Sequence, residues 1–163
     1  MRNTVDTAVS EIPTCRNILD LAGLIVFRTA GLVLLGAWAP RLGLSQRCRY
    51  LGGDMFREVP PADAYVLKSV LHNWSDDECV RILANLRRAV IRAGRMFAAD
   101  FVVRGPEEPH FSKLFDLHMM LTVTGRERTA AEFAELLAAA GWRYDAWHRV
   151  PNAFQSVIAA TAA

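Results

Sequence analysis

The sequence predicts an α/β domain with a largely parallel sheet that ends in an antiparallel hairpin. Two observations carry that expectation. Apolar, β-branched runs alternate with amphipathic stretches that open on capping residues, in the order strand, helix, strand, helix. The tail "WRYDAWHRVPNAFQSVIAA" then reads as two strands broken by a turn at Pro151-Asn152.

Each element has its own local reason. Residues 17–24 ("NILDLAGL") and 31–38 ("GLVLLGAW") have the continuous apolar texture of central strands, although a helix could show the same texture. Residues 47–56 ("RCRYLGGDMF") read as a strand that breaks at Gly52-Gly53. "DAYVLKSVL" (63–71) reads as the next strand, with His72 at its tip. Ser75 and Glu78 then form an S-x-x-E capping box, and Asp76, Asp77 and Glu78 complement the dipole of the helix they open. Val80, Leu83, Leu86 and Val90 follow at helical spacing, and Gly94 is the expected stop. A strand over 95–103, a loop at "GPEEP" (105–109) and an apolar helix over 110–123 come next. Thr129 and Glu132 make a second capping box, for a helix that Gly141 closes.

Composition narrows the function classes. A chain of 163 residues suits one domain with its own core, and 52% hydrophobic against 22% charged residues excludes a disordered chain. The net charge is only +2 and the arginines are scattered, so no nucleic-acid surface is expected. Cys15, Cys48 and Cys79 form no C-x-x-C pair, which speaks against a zinc site or a disulfide framework and for a reducing, cytoplasmic setting. Residues 21–40 are apolar enough to raise a membrane span, and "AWA" at 37–39 mimics a leader cleavage site. Against both stand the central Arg28 and the acidic Asp6, Glu11 and Asp20 in place of a basic flank. No membrane partner is expected.

Open α/β sheets bind ligands beyond the carboxyl ends of their strands. Asp54, His72 and Asp100 lie at or just past three predicted strand ends, and Glu127 lies in the loop before the last helix. Singly each has an ordinary explanation: Asp54 closes a turn, Asp100 pairs with an arginine, Glu127 joins Arg126 and Arg128 in a surface ion pair. Together they suit one rim where a nucleotide-like ligand meets a general base.

"GGDMF", "DAYVLKSVLHNWSDDEC", "GRMFAAD" and "KLFDLHMMLTVTGRERTAAEFAELLAAAGW" resemble the catalytic domain of S-adenosylmethionine-dependent O-methyltransferases, the Rossmann-like class I fold, in its hydroxy-aromatic and bacterial polyketide branch. The resemblance covers about residues 46–160 in order. It implies His72 as the base that takes the hydroxyl proton, with Asp100 and Glu127 orienting it. It implies Asp54, Met55 and Lys68 at S-adenosyl-L-methionine, and Phe115, Met119 and Met120 at a small hydroxylated, aromatic acceptor. Met119 and Met120 also suit ordinary helix packing. The resemblance divides the chain into a degenerate, incomplete N-terminal part (1–45) and a catalytic core (46–163). A homodimer would follow if the apolar face left by a missing domain pairs with a second copy.

The chain departs from the pattern in three places. The family's glycine-rich D-x-G-G-G-x-G loop is replaced by "ILDLAGLIVF", which keeps Asp20 and Gly23 alone. "GLVLLGAWAP" ends in no acid for the ribose hydroxyls, and Asn73 stands where an aspartate is common. Two readings follow: an active O-methyltransferase, or a non-catalytic remnant or binding module that keeps the fold. A nicotinamide enzyme would need a G-x-G-x-x-G run, which the chain lacks.

Overall fold

The computed structural model describes the backbone of residues 18–20 and residues 54–163. Among these residues five strands form one sheet in the order β1-β2-β3-β5-β4: β1 Ile18–Asp20, β2 Ala62–Lys68, β3 Val90–Asp100, β4 Trp142–Arg149 and β5 Ser156–Ala162. β1, β2 and β3 run parallel; β5 is antiparallel to both β3 and β4. The expected parallel sheet with a terminal hairpin is therefore the observed one, with Asn152 in the left-handed region at the turn (φ 60°). Of the two early strands read from the sequence, 17–24 has its described part in β1. The strand at 31–38 and the apolar run at 21–40 lie outside the described residues. No described helix is long and apolar enough to cross a membrane.

Among the described residues three α-helices accompany the sheet: α1 Asp76–Ala89, α2 Phe111–Thr122 and α3 Ala130–Ala139. Both capping boxes form as their spacing requires, Ser75 with Glu78 and Thr129 with Glu132. Strand alternation then divides the buried side chains between two faces. Tyr65, Leu67, Met96, Ala98, Ile158 and Ala160 pack with Ile82, Leu83 and Leu86 of α1 and Phe133 and Leu137 of α3. Ala64, Phe97, Val157 and Ala159 form a smaller cluster. Trp142 ties the hairpin to α1, its indole N–H donating to the Leu83 carbonyl at 2.9 Å.

Three boundaries differ from the sequence expectation. Helix α1 ends at Ala89, and Val90 already has extended backbone that continues into β3. Gly94 lies inside that strand, where the β2–β3 register shifts between Ala62 and Ala64. A Cβ there would stand 2.7 Å from the Asp63 carbonyl oxygen, so the glycine serves a close strand approach and not a helix stop. Residues 55–57 form a turn, with the Asp54 carbonyl accepting from the Arg57 N–H at 2.9 Å, so the strand expected over 47–56 does not extend through them. Finally, β2 stops at Lys68. His72 sits in a single 3-10 turn, Leu71–Asn73, beyond the strand end.

Candidate active site

The turn that carries His72 begins with backbone strain. Ser69 has φ 55°, a conformation that costs a non-glycine residue about 1–3 kcal/mol unless its surroundings hold it. Three hydrogen bonds do so. The Ser69 N–H donates to the Ala99 carbonyl (3.0 Å), the Asn73 amide donates to the Ser69 carbonyl (2.9 Å), and the Gln155 amide donates to Ser69 Oγ (2.7 Å). Asn73 can make its bond because it carries an N–H₂; an ionised aspartate at this position would be an acceptor only.

Glu127 reaches the same place from the other end of the chain. Just past β3, Val102 forms a parallel bridge with Arg128, and the Val103 N–H donates to the Arg128 carbonyl at 2.9 Å. That docking brings the loop before α3 alongside Asp100, the last residue of β3. The Glu127 N–H is held in turn by Asp116 Oδ1 of α2 at 2.7 Å.

His72, Asp100 and Glu127 converge. His72 Nδ1 lies 2.8 Å from Glu127 Oε1 and 3.9 Å from Asp100 Oδ1. All three are buried, Asp100 completely. With Nδ1–H donating to Glu127, the free nitrogen of a neutral ring is Nε2, the atom left to accept a proton. Among the described residues no side chain donates to either Asp100 oxygen or to Glu127 Oε2, although the Leu71 backbone lies close enough to favour the ionised Asp100.

Burial and charge oppose one another here. Burial depresses the His72 pKa, but the Glu127 hydrogen bond and the charges of Asp100 and Glu127 together outweigh it, so the imidazole is held above its ordinary value. Burial pushes Asp100 up to about 7, with His72 pulling the other way. It raises Glu127 as well, again opposed by the bond to His72. The three groups lie close enough that the charge of each bears on the others.

Aromatic rings line the outward side. The Phe101 ring lies 6.3 Å from the imidazole with planes 18° apart, and Phe115 lies at 6.0 Å. Phe111 touches both phenylalanines, and Phe154 continues the row to the surface. Of the residues expected at the acceptor, Phe115 faces His72, Met119 is buried, and Met120 is 66% exposed. Neighbouring positions on a helix point about 100° apart, which separates the two methionines. Phe101 was not singled out from the sequence; its one signal was its place next to Asp100 at a strand end.

The sequence profile of the O-methyltransferase domain family matches residues 4–143. The chain belongs to that family. Among its relatives, flavonoid 8-O-methyltransferase 1 of Ocimum basilicum is 43% identical over 108 residues, which are 61% of this chain and 30% of that protein. The phenazine O-methyltransferase PhzM of Lysobacter antibioticus is 44% identical over 101 residues, again 61% and 30% of the two chains. CalO1, a methyltransferase of calicheamicin biosynthesis solved with S-adenosylhomocysteine bound, superposes with a TM-score of 0.70 at 42% identity, over 74% of this chain and 36% of that one. The chain thus spans about a third of the length of each of these three relatives.

Within this family the residues expected at the cofactor lie apart in character from the buried triad. Asp54 is exposed; its Oδ1 accepts from the Phe56 N–H at 3.0 Å, and Oδ2 is 3.8 Å from Arg57. The Met55 carbonyl accepts from the Asn85 amide at 2.7 Å, which fixes this turn to α1. Lys68 ends β2, half-buried. An exposed carboxylate with its backbone held and a cation at a strand's carboxyl end fit the polar part of a nucleoside-bearing methyl donor. The stretch that replaces the glycine loop lies outside the described residues beyond Asp20.

Proposed function

We propose that residues 46–163 are the catalytic core of an S-adenosylmethionine-dependent O-methyltransferase that methylates a hydroxyl of a small aromatic molecule. The observation that carries this reading is the buried 2.8 Å contact between His72 Nδ1 and Glu127, which leaves Nε2 as the accepting atom. When bound, the cofactor supplies an electrophilic methyl group on a sulfonium. Asp54, Met55 and Lys68 would hold it, with the exposed Asp54 carboxylate suited to hydroxyl or amine donors.

The chain's own residues do the rest. A phenol titrates near ~10 and a free imidazole near ~6.5, so the base must be strengthened as the proton moves. Glu127 and Asp100 supply that strengthening by stabilising the imidazolium, and the bond to Nδ1 fixes the ring for approach. Phe101 and Phe115 offer flat apolar faces on which a planar acceptor stacks. Met119 is buried within α2, whereas Met120 would reach an acceptor only from the exposed side of that helix.

The test is a paired one. Titration calorimetry of S-adenosylmethionine and its demethylated product measures binding, and turnover with phenolic acceptors measures chemistry. His72→Ala is expected to abolish turnover and keep binding. No detectable heat at millimolar cofactor would instead favour a non-catalytic remnant, a reading supported by the missing glycines after Asp20.

Pairing with a second copy has its support in α2. Phe111, Leu114, Leu117 and Leu121 recur at helical spacing and are all exposed, Leu121 at 87%. Sedimentation velocity across a concentration series checks it; a monomer throughout would remove it.

A further inference from the structure

Arg128 follows Glu127 in sequence, and its guanidinium is buried directly beneath the His72 turn. Its exposure is 1%. Nη1 donates to the Leu71 carbonyl at 3.0 Å and Nη2 to the Trp74 carbonyl at 2.9 Å, the residues on either side of His72-Asn73. Nε and Nη2 both donate to Asp76 Oδ1, at 2.9 and 2.7 Å, and Nη1 also reaches the Arg126 carbonyl at 3.3 Å. One planar group therefore brackets the three-residue turn and anchors it to the first residue of α1. The Arg128 backbone, meanwhile, is bound to Val102 and Val103.

Both ends of the His72–Glu127 hydrogen bond thus depend on one residue. The acceptor, Glu127, is its covalent neighbour. The donor's turn hangs from its side chain. We propose that Arg128 is the positioning residue that holds the His72 imidazole on Glu127. The role deepens the methyltransferase reading, on which its catalytic consequence rests.

The contacts distinguish this from an ordinary buried ion pair. A residue needed only for charge balance with Asp76 would not have to donate to two backbone carbonyls around His72. Lysine could not replace it, because one ammonium lacks the rigid fork that reaches two carbonyls and a carboxylate at once. Two neighbours reinforce the hold. Cys79, its thiol pKa pushed up to about 12 by burial and so kept neutral, donates to the Leu71 carbonyl at 3.1 Å. Gly125 packs so closely that an added Cβ would lie 2.0 Å from the His72 carbonyl oxygen.

Arg128→Lys keeps the charge and removes the fork, which makes it the decisive variant. The first readout is the His72 imidazole by ¹⁵N-edited NMR, assigned by comparison with His72→Gln. The groups that bear on that ring are Asp100 on β3, Glu127 and Arg128 in the loop, and Asp116 of α2 behind Glu127. In wild type the expected signature is a single Nδ1–H tautomer with a titration midpoint above the ordinary value. In Arg128→Lys the midpoint is expected to fall toward ~6.5 and the tautomers to mix. The second readout is kinetic: kcat down about 100-fold, as expected for a displacement on the order of 1 Å, with the KM for the methyl donor little changed.

Asp76→Asn loosens the guanidinium from the solvent side and should move both readouts in the same direction by less. It carries the test if Arg128→Lys does not fold. A folded Arg128→Lys, or failing that Asp76→Asn, with wild-type His72 tautomer and midpoint overturns the proposal, whatever its thermal stability. The NMR readout needs no turnover. A wild-type protein without methyl transfer would therefore sink the functional reading and leave the positioning role standing on its own result.

Discussion

At the scale of single residues, the site is a problem in keeping one imidazole basic while burying it. Desolvation alone would push the His72 pKa down and weaken the base. Glu127 reverses that, because its hydrogen bond is the largest influence favouring the protonated ring, followed by the Asp100 and Glu127 charges. In the proposed reaction the neutral imidazole accepts the proton, so turnover should rise with pH through a midpoint above ~6.5. Glu127→Gln keeps an acceptor for Nδ1–H and removes the charge. Its acidic limb is therefore expected to move to lower pH, with kcat lowered about tenfold to a hundredfold because the imidazolium is less well stabilised. A pH profile of kcat for the two proteins checks this; an unmoved limb would mean another group sets it. Much of this triad was readable as chemistry at strand ends. From its local sequence alone Glu127 was not separable from a surface pair with its arginines; only the family resemblance set it beside His72, 55 residues away. In the structure the exposed pairing belongs to Arg126, which binds Asp76 and Glu132, while Glu127 turns inward.

At the scale of elements, what could be read from the sequence was whatever is decided within four residues. The two capping boxes and the hairpin turn at Pro151-Asn152 fall in this class, because side chain and backbone partner are neighbours along the chain. Gly94 misled for a related reason. A glycine after a helical run has the local look of a stop, but here the constraint comes from the Asp63 carbonyl on the next strand. Gly125 presents the same case at the site. Nothing near it in sequence demands glycine, yet it lies against the backbone of His72, Asn73 and Trp74. Gly125→Ala must shift either its own loop or the His72 turn, since the obstructing atoms are backbone. The expected cost is about 1–3 kcal/mol of stability, the range for overpacking a close contact. A larger effect is expected on turnover, on the order of 100-fold, since the two segments that move carry the proposed base and its partner. Denaturant midpoints beside initial rates measure both. Lost stability with unchanged turnover would show that the close approach is not part of the site.

At the scale of the whole molecule, the site competes with the fold that carries it. The sheet places a carboxylate at the end of β3, the middle of the five described strands, fully buried and with no side-chain hydrogen-bond partner among the described residues. Such a group lowers stability whenever it must ionise. For Asp100 the sign follows from its two pKa values. In the unfolded chain the carboxyl titrates near ~3.9, and in the folded protein burial holds it at about 7. Between these values the folded state binds more protons, so the contribution of Asp100 to stability is complete below about pH 4 and is lost as pH rises through about 7. Asp100→Asn removes the ionisation and keeps the shape. It should therefore be more stable than wild type, by a margin that grows from about pH 4 to about pH 7 and is flat above, reaching one to a few kcal/mol. The same change removes a charge that favours the imidazolium, so turnover should fall where stability gains. Urea unfolding of both proteins at intervals from pH 4 to pH 8, beside initial rates, separates the two effects. A constant stability difference across that range would mean that Asp100 is already ionised in the folded protein and finds its compensation in His72.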